Sequence, residues 1–274
     1  MKVPDPTLSL PRILCLHGGG TNARIFRMQC RVLESTLSST FRLVYAEAPF
    51  PSQPGSDVTS VYRNYGPFKS WLRITSSDTA HEPQHIIERI NTAIATAMAT
   101  DSKSGATGEW VALLGFSQGA KLAASILFAQ QTMQLRAGPN AIIWPNFRFA
   151  GLIAGRGPLV WLLPEQSDIS SAHPLSIKSG LVDASNPSIG GEDPLFPLDS
   201  DEHILRIPTF HVHGLQDPGL SLHRALMRNY CKKGLASILE WDGGHRIPIK
   251  RKDVHAVVEE IYNLAQVTGV LKLW

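Results

Sequence analysis

An α/β fold, with a mostly parallel central sheet and helices on both of its faces, is predicted by three features of this sequence. Short apolar runs alternate with stretches of helical period, the pattern of chains in which strands and helices follow one another. Several runs stop abruptly: Arg12 to Leu16 ends in His17-Gly18-Gly19-Gly20, and Phe41 to Ala46 is closed by Pro49 and Pro51. A third run, Trp110 to Leu114, passes through Gly115-Phe116-Ser117-Gln118-Gly119-Ala120 into residues of helical period, which reads as strand, sharp turn, helix.

In chain order, Arg12 to Leu16 is a buried strand that delivers a tight glycine turn, and a helix is expected over Ala23 to Leu37. The strand Phe41 to Ala46 is followed by an irregular stretch, about 51–79. It holds Tyr62, Tyr65, Phe68 and Trp71 and so reads as a loop that walls a pocket rather than as a linker. Glu82 to Met98 repeats Ile86, Ile87, Ile90, Ala93, Ile94 and Met98 at helical spacing. After the strand–turn–helix around Ser117, three more buried strands are expected at Phe149 to Ala154, Thr209 to Val212 and Ser237 to Trp241. A helix around Leu220 to Lys233 lies between the last two, and Asp253 to Gln266 forms the closing helix. A second irregular excursion, about 161–201, is dense in Pro, Ser, Gly and Asp.

Composition bounds the rest. The chain has 274 residues, 43% hydrophobic and 18% charged, and no linker-like composition divides it, so one domain over 1–274 is expected. The net charge of +3 is small and the cations are scattered, apart from Lys250-Arg251-Lys252, which should open a solvated helix. No nucleic-acid partner is expected. Cys15, Cys30 and Cys231 are an odd set without CxxC spacing, which argues against a disulfide framework and a zinc site and for buried small hydrophobes in a reducing compartment. Met1 to Pro11 lacks the basic start and apolar run of a secretory signal, and no stretch reaches the ~18 apolar residues of a membrane span. The sequence therefore predicts a soluble, cytoplasmic protein without a membrane partner.

Gly115-Phe116-Ser117-Gln118-Gly119 matches G-x-S-x-G, in which a serine sits on a strained strand-to-helix turn and needs small neighbours. Such a serine needs a base. Among ten histidines, His245 follows an apolar strand within Asp242-Gly243-Gly244-His245, a turn able to present an imidazole. His211 and His213 flank a strand, where one should be packed, whereas His173, His203, His223 and His255 read as ordinary surface histidines. For the acid, Asp217 in His213-Gly214-Leu215-Gln216-Asp217-Pro218 lies one strand–helix unit before His245. Asp183 falls too early, and Asp242 is close enough to His245 to be a turn-former. Acyl transfer also needs donors for the developing oxyanion. The N–H of Gln118 is one candidate, and Gly19, chosen over Gly20, is the other. His17 should brace its loop by a hydrogen bond.

Leu14-Cys15-Leu16-His17-Gly18, with Asn22, Ile25-Phe26 and Gln29, then GFSQGA at 115–120, the His213-Gly214-x-x-Asp217 turn and Gly244-His245, together resemble the fungal serine hydrolase family of the α/β-hydrolase fold. The resemblance runs from about Pro11 to the C-terminal helix. That family includes thioesterases that release polyketides from their synthases, such as the lovastatin-pathway hydrolase. The resemblance implies triad roles for Ser117, Asp217 and His245 and oxyanion roles for Gly19 and Gln118. It also implies an acyl thioester or ester substrate, a polyketide or fatty-acyl chain on an acyl carrier protein, and no metal or organic cofactor. Phe68 and Trp71 are the candidate substrate-wall residues, with Trp144, Trp161 and Leu162 as alternatives. The competing readings are a carboxylesterase of small soluble esters, a catalytically silent binding protein of the same fold, and an acyltransferase or cyclising enzyme using the same site.

Overall fold

The computed structural model describes residues 5–55, 58–72, 83–138, 144–163, 181–184, 201 and 203–272. Along the chain it forms β1 (Arg12–Leu16), α1 (Ala23–Gln29), α2 (Arg31–Leu37), β2 (Arg42–Ala46), β3 (Phe50–Pro51), α3 (Thr59–Tyr62) and β4 (Lys69–Ser70). There follow α4 (Pro83–Lys103), β5 (Trp110–Phe116), α5 (Gln118–Ala137), β6 (Phe149–Ile153), β7 (Leu159–Val160) and β8 (Leu181–Val182). The last elements are β9 (Thr209–Gly214), α6 (Leu220–Tyr230), β10 (Ala236–Trp241) and α7 (Arg251–Val267).

Six strands form the main sheet in the order β10-β9-β6-β5-β1-β2, and every pairing in it is parallel. A parallel strand buried on both faces is apolar throughout rather than alternating, and β1, β5, β6 and β9 are buried at every position. Side chains on β1 divide between two cores. Leu14 and Leu16 pack with residues of α4, α5 and α6, while Ile13 and Cys15 pack with α1, α2 and α7 on the other face.

The helix expected over Ala23 to Leu37 is two helices. Cys30, at φ −84° and ψ 4°, closes α1 and opens α2, with its N–H bonded to Phe26 O and its carbonyl taking the Glu34 N–H. The apolar spacing runs unbroken through this kink, because Phe26, Cys30, Leu33 and Leu37 all enter the same core. That continuity makes one helix of two in the sequence. The aromatic stretch also has more structure than an irregular loop: β3 and β4 pair antiparallel, and Thr21 bridges to Lys69. Of the second excursion, β8 pairs parallel with β7, and most of the remainder lies outside the described residues. Lys250, Arg251 and Lys252 are exposed at the start of α7, as expected. Among the described residues no helix is long and apolar enough to cross a membrane.

Candidate active site

The segments carrying the candidate residues leave the sheet at the C-terminal ends of β1, β5, β9 and β10, the edge where open parallel sheets bind ligands. Ser117 stands between β5 and α5 at φ 53° and ψ −114°, a region that a residue with a Cβ enters only under strain. Its N–H is tied to Ile153 O at 2.8 Å. The flanking glycines are compelled by close approach: a Cβ at Gly119 would overlap the Leu16 carbonyl, and one at Gly115 the Gly119 carbonyl.

His245 Nε2 lies 3.0 Å from Ser117 Oγ, and its Nδ1 lies 2.6 Å from Asp217 Oδ2. The His245 ring packs against Phe116 at 5.0 Å between centroids and keeps 19% of its side-chain surface exposed, so it is supported yet reachable. Asp217 is buried, and its Oδ1 accepts the Gly219 N–H at 2.8 Å. Burial opposes ionisation of this carboxyl, but the Gly219 N–H and the His245 imidazole outweigh it and hold Asp217 below its ordinary value. Asp242 is exposed and accepts from Gln216 Nε2 at 2.6 Å, so it braces the turn instead of reaching His245 Nδ1. Asp183 is exposed beyond β8.

The β1–α1 loop is held rigid from several sides. His17, fully buried, donates from Nδ1 to Gly18 O at 2.8 Å and accepts the Ala48 N–H at Nε2, the bracing expected of it. Gly20 N–H is committed to Lys69 O at 2.9 Å, whereas the Gly19 N–H donates to no acceptor among the described residues. Gly19 sits against the Gln118 side chain, and Gln118 N–H opens α5, where the first turn leaves donors unused.

Two features of the aromatic stretch differ from expectation. Trp71, expected on the substrate wall, is fully buried and gives its indole N–H to His17 O at 2.9 Å, so its side chain braces the β1–α1 loop from behind. Its backbone N–H and that of Leu72 donate to Gln118 Oε1, while Gln118 Nε2 returns a bond to Leu72 O. The Gln118 side chain thus clamps this segment, a role the motif did not reveal. Phe68 is half-buried, with its carbonyl taking the Ser52 N–H. Trp144 and Leu162 are core residues and Trp161 packs beside them.

His223 and His203 are not surface histidines but are buried. His223 Nε2 lies 2.9 Å from Asp217 Oδ2 and its Nδ1 2.9 Å from Gly155 O. A signal for this burial was present, since His223, Leu226 and Tyr230 follow helical spacing on one face of α6. His255 is exposed on α7, and His173 lies outside the described residues. Asp217, His223 and His245 bring an oxygen and two ring nitrogens within 4.8 Å of one another, a donor set a metal could use. The 2.6 Å between His245 and Asp217 is that of a shared proton, and both it and the 2.9 Å between His223 and Asp217 are shorter than the roughly 3.4 Å between tetrahedral ligands each about 2.1 Å from zinc.

Fold and site together define a serine hydrolase of the α/β-hydrolase class. Among solved structures, acyl-protein thioesterase 2 of Zea mays superposes with a TM-score of 0.50 at 15% identity, covering 93% of this chain and 94% of that one, a likeness of fold. The chain belongs to the serine hydrolase (FSH1) family, whose model matches residues 7–257. It is 65% identical to esterase dbaE of Emericella nidulans over 98% of this chain and 96% of the relative. To esterase pigG of Monascus ruber it is 52% identical, with the same two coverages, 98% and 96%. The chain is therefore an enzyme, a serine hydrolase with esterases as relatives.

Proposed function

We propose that this enzyme cleaves acyl esters or thioesters through a covalent acyl-enzyme on Ser117, and that its substrate is a polyketide or fatty-acyl chain borne by an acyl carrier protein. The observation that carries the chemistry is the hydrogen-bond path from Asp217 Oδ2 through His245 to Ser117 Oγ. Ser117 Oγ attacks the acyl carbonyl while His245 Nε2 takes its proton, and Asp217 keeps Nδ1 protonated and stabilises the imidazolium. The oxyanion is received by the N–H groups of Gln118 and Gly19. The C–O or C–S bond then breaks, and the leaving alcohol or thiol takes the proton from His245. Water attacks the acyl-enzyme, gives a proton to His245, and Ser117 leaves with that proton as the acid is released.

Support for a carrier-bound acyl chain comes from the resemblance to the fungal family with polyketide-releasing members. The relatives are named esterases, which favours an ester over a thioester as substrate, and the second reading is a carboxylesterase of small soluble esters. Three unpaired, buried cysteines support a cytoplasmic setting. The test is intact-mass labelling with a fluorophosphonate, native protein against Ser117→Ala, followed by esters and acyl thioesters of increasing length. One adduct on the native protein and none on the variant is expected, with turnover falling at least ~10³-fold in Ser117→Ala. Long acyl thioesters turned over best support the carrier-bound substrate, and preference for short aryl esters supports the second reading. No adduct on the native protein overturns the mechanism.

A further inference from the structure

The mechanism uses one of the imidazoles beside Asp217 and leaves another unexplained. Four histidine rings form a row from the core to the nucleophile: His211 to His213 at 5.9 Å, His213 to His223 at 5.8 Å, and His223 to His245 at 5.8 Å between centroids. All but His245 are fully buried. His223 is the member that touches the acid, because its Nε2 and His245 Nδ1 both approach the same oxygen, Asp217 Oδ2.

Both groups that face the His223 nitrogens, Gly155 O and the Asp217 carboxylate, only accept hydrogen bonds. A neutral imidazole has one N–H and serves one of them, whereas an imidazolium serves both. The contact to Gly155 O is well aligned, while that to Asp217 is close but not aligned as a hydrogen bond. This is the arrangement of a neutral ring whose proton sits on Nδ1 and whose Nε2 lone pair abuts the carboxylate. Burial favours that neutral form and Asp217 opposes it, with the balance below the ordinary histidine value. The other charged or titratable groups facing His223 are His213 on β9, His245 after β10 and Arg156 after β6.

We propose that His223 is a positioning residue of this active site, which walls Asp217 from water when neutral and draws the shared oxygen away from His245 when it takes a proton on Nε2. The inference rests on the triad assignment above. An Asp217 bonded to an imidazolium at His223 has less charge to offer the imidazolium forming at His245, so proton uptake by His223 slows acylation. Two protons, one on each ring, then silence the enzyme.

The test is the pH dependence of kcat/KM for p-nitrophenyl acetate, from initial rates under conditions where activity recovers fully on return to pH 7. The native enzyme should lose activity on the acid side with a limiting slope steeper than one proton, approaching two. His223→Gln, permanently neutral, should show a slope of one, with its plateau lowered ~10- to 100-fold through looser placement of Asp217. His213→Gln, equally buried but remote from Asp217, should keep the steep limb. A slope of one in the native enzyme overturns the proposal, and so does a His223→Gln limb as steep as the native one. If His223→Gln does not fold, His223→Asn takes its place, and if neither folds the native slope decides. Fluorophosphonate labelling of the same samples at pH 7 separates the two levels. A native protein that takes no adduct refutes the triad assignment, whereas labelled proteins with identical acid limbs refute only the role of His223.

Discussion

Gly119 occupies the tightest approach in the site, with the Leu16 carbonyl where its Cβ would stand. Gly119→Ala must push α5 away from the β1–α1 loop, which separates the Gln118 N–H from the Gly19 N–H and moves Ser117 relative to both. A displacement of about 1 Å at such a site costs on the order of 10²-fold in rate. The expected result is a fall of at least that size in kcat, with slowed fluorophosphonate labelling and a lowered Tm, read by stopped assays and a thermal melt. This residue was legible from sequence, as were Ser117, Asp217 and His245 as candidates, because the motif couples chemistry to adjacent chain geometry. Trp71 and His223 were not legible in the same way. Trp71 earned its place through an indole N–H that reaches His17 O across 54 residues, and His223 through a carboxylate on a preceding loop and a carbonyl 68 residues away. Composition and periodicity report which face is apolar, and they leave unspecified which polar atom a buried ring will meet.

Strand β9 shows what burial of titratable groups does to an element. His211 and His213 project from it into the interior, where burial, aided by each next ring in the row, pushes His211 down to about 3 and His213 down to about 4. In the unfolded chain both return to ~6.5. From pH 6.5 downward the unfolded state therefore binds protons that the native state refuses. Their contribution to stability is whole above pH 6.5 and is lost as pH falls toward about 4 and then 3. Between pH 6.5 and 5 each accounts for about 1–2 kcal/mol. Urea midpoints should drop over that range in the native protein, and His213→Gln should flatten the drop while leaving the acid limb of activity steep. The strands themselves were read almost in full, since continuous apolar runs closed by glycine or proline have few other uses. The break at Cys30 was hidden because the helical spacing of buried residues persists through it.

At the scale of the molecule, the parallel sheet separates chemistry from anchoring. Ser117, Asp217, His245 and the Gly19 loop all leave its C-terminal edge. At the opposite edge, β1 and β2 begin with Arg12 and Arg42, and both reach the buried carboxylate of Asp101 on α4, at 3.4 Å for Arg12 and 2.7 Å for Arg42. Arg42 also holds Asp5 at 2.7 Å, so the anchor joins the chain's start to two strands and a helix. Asp101→Ala would leave two guanidinium groups, largely withdrawn from water, without their shared partner. Loss of one side of a buried pair costs about 3 kcal/mol or more. None of these groups touches the Ser117 site, so kcat per folded molecule should stay within about twofold while the urea midpoint falls. Two cores lie on the two faces of the sheet, and β1 feeds both. A weakened start of β1 therefore loosens both layers, and we propose that the chain unfolds as one unit. Ellipticity and residual activity in Asp101→Ala should then fall along one shared curve, shifted to lower urea. If activity is lost before the helices melt, the layers unfold separately and the one-domain reading fails.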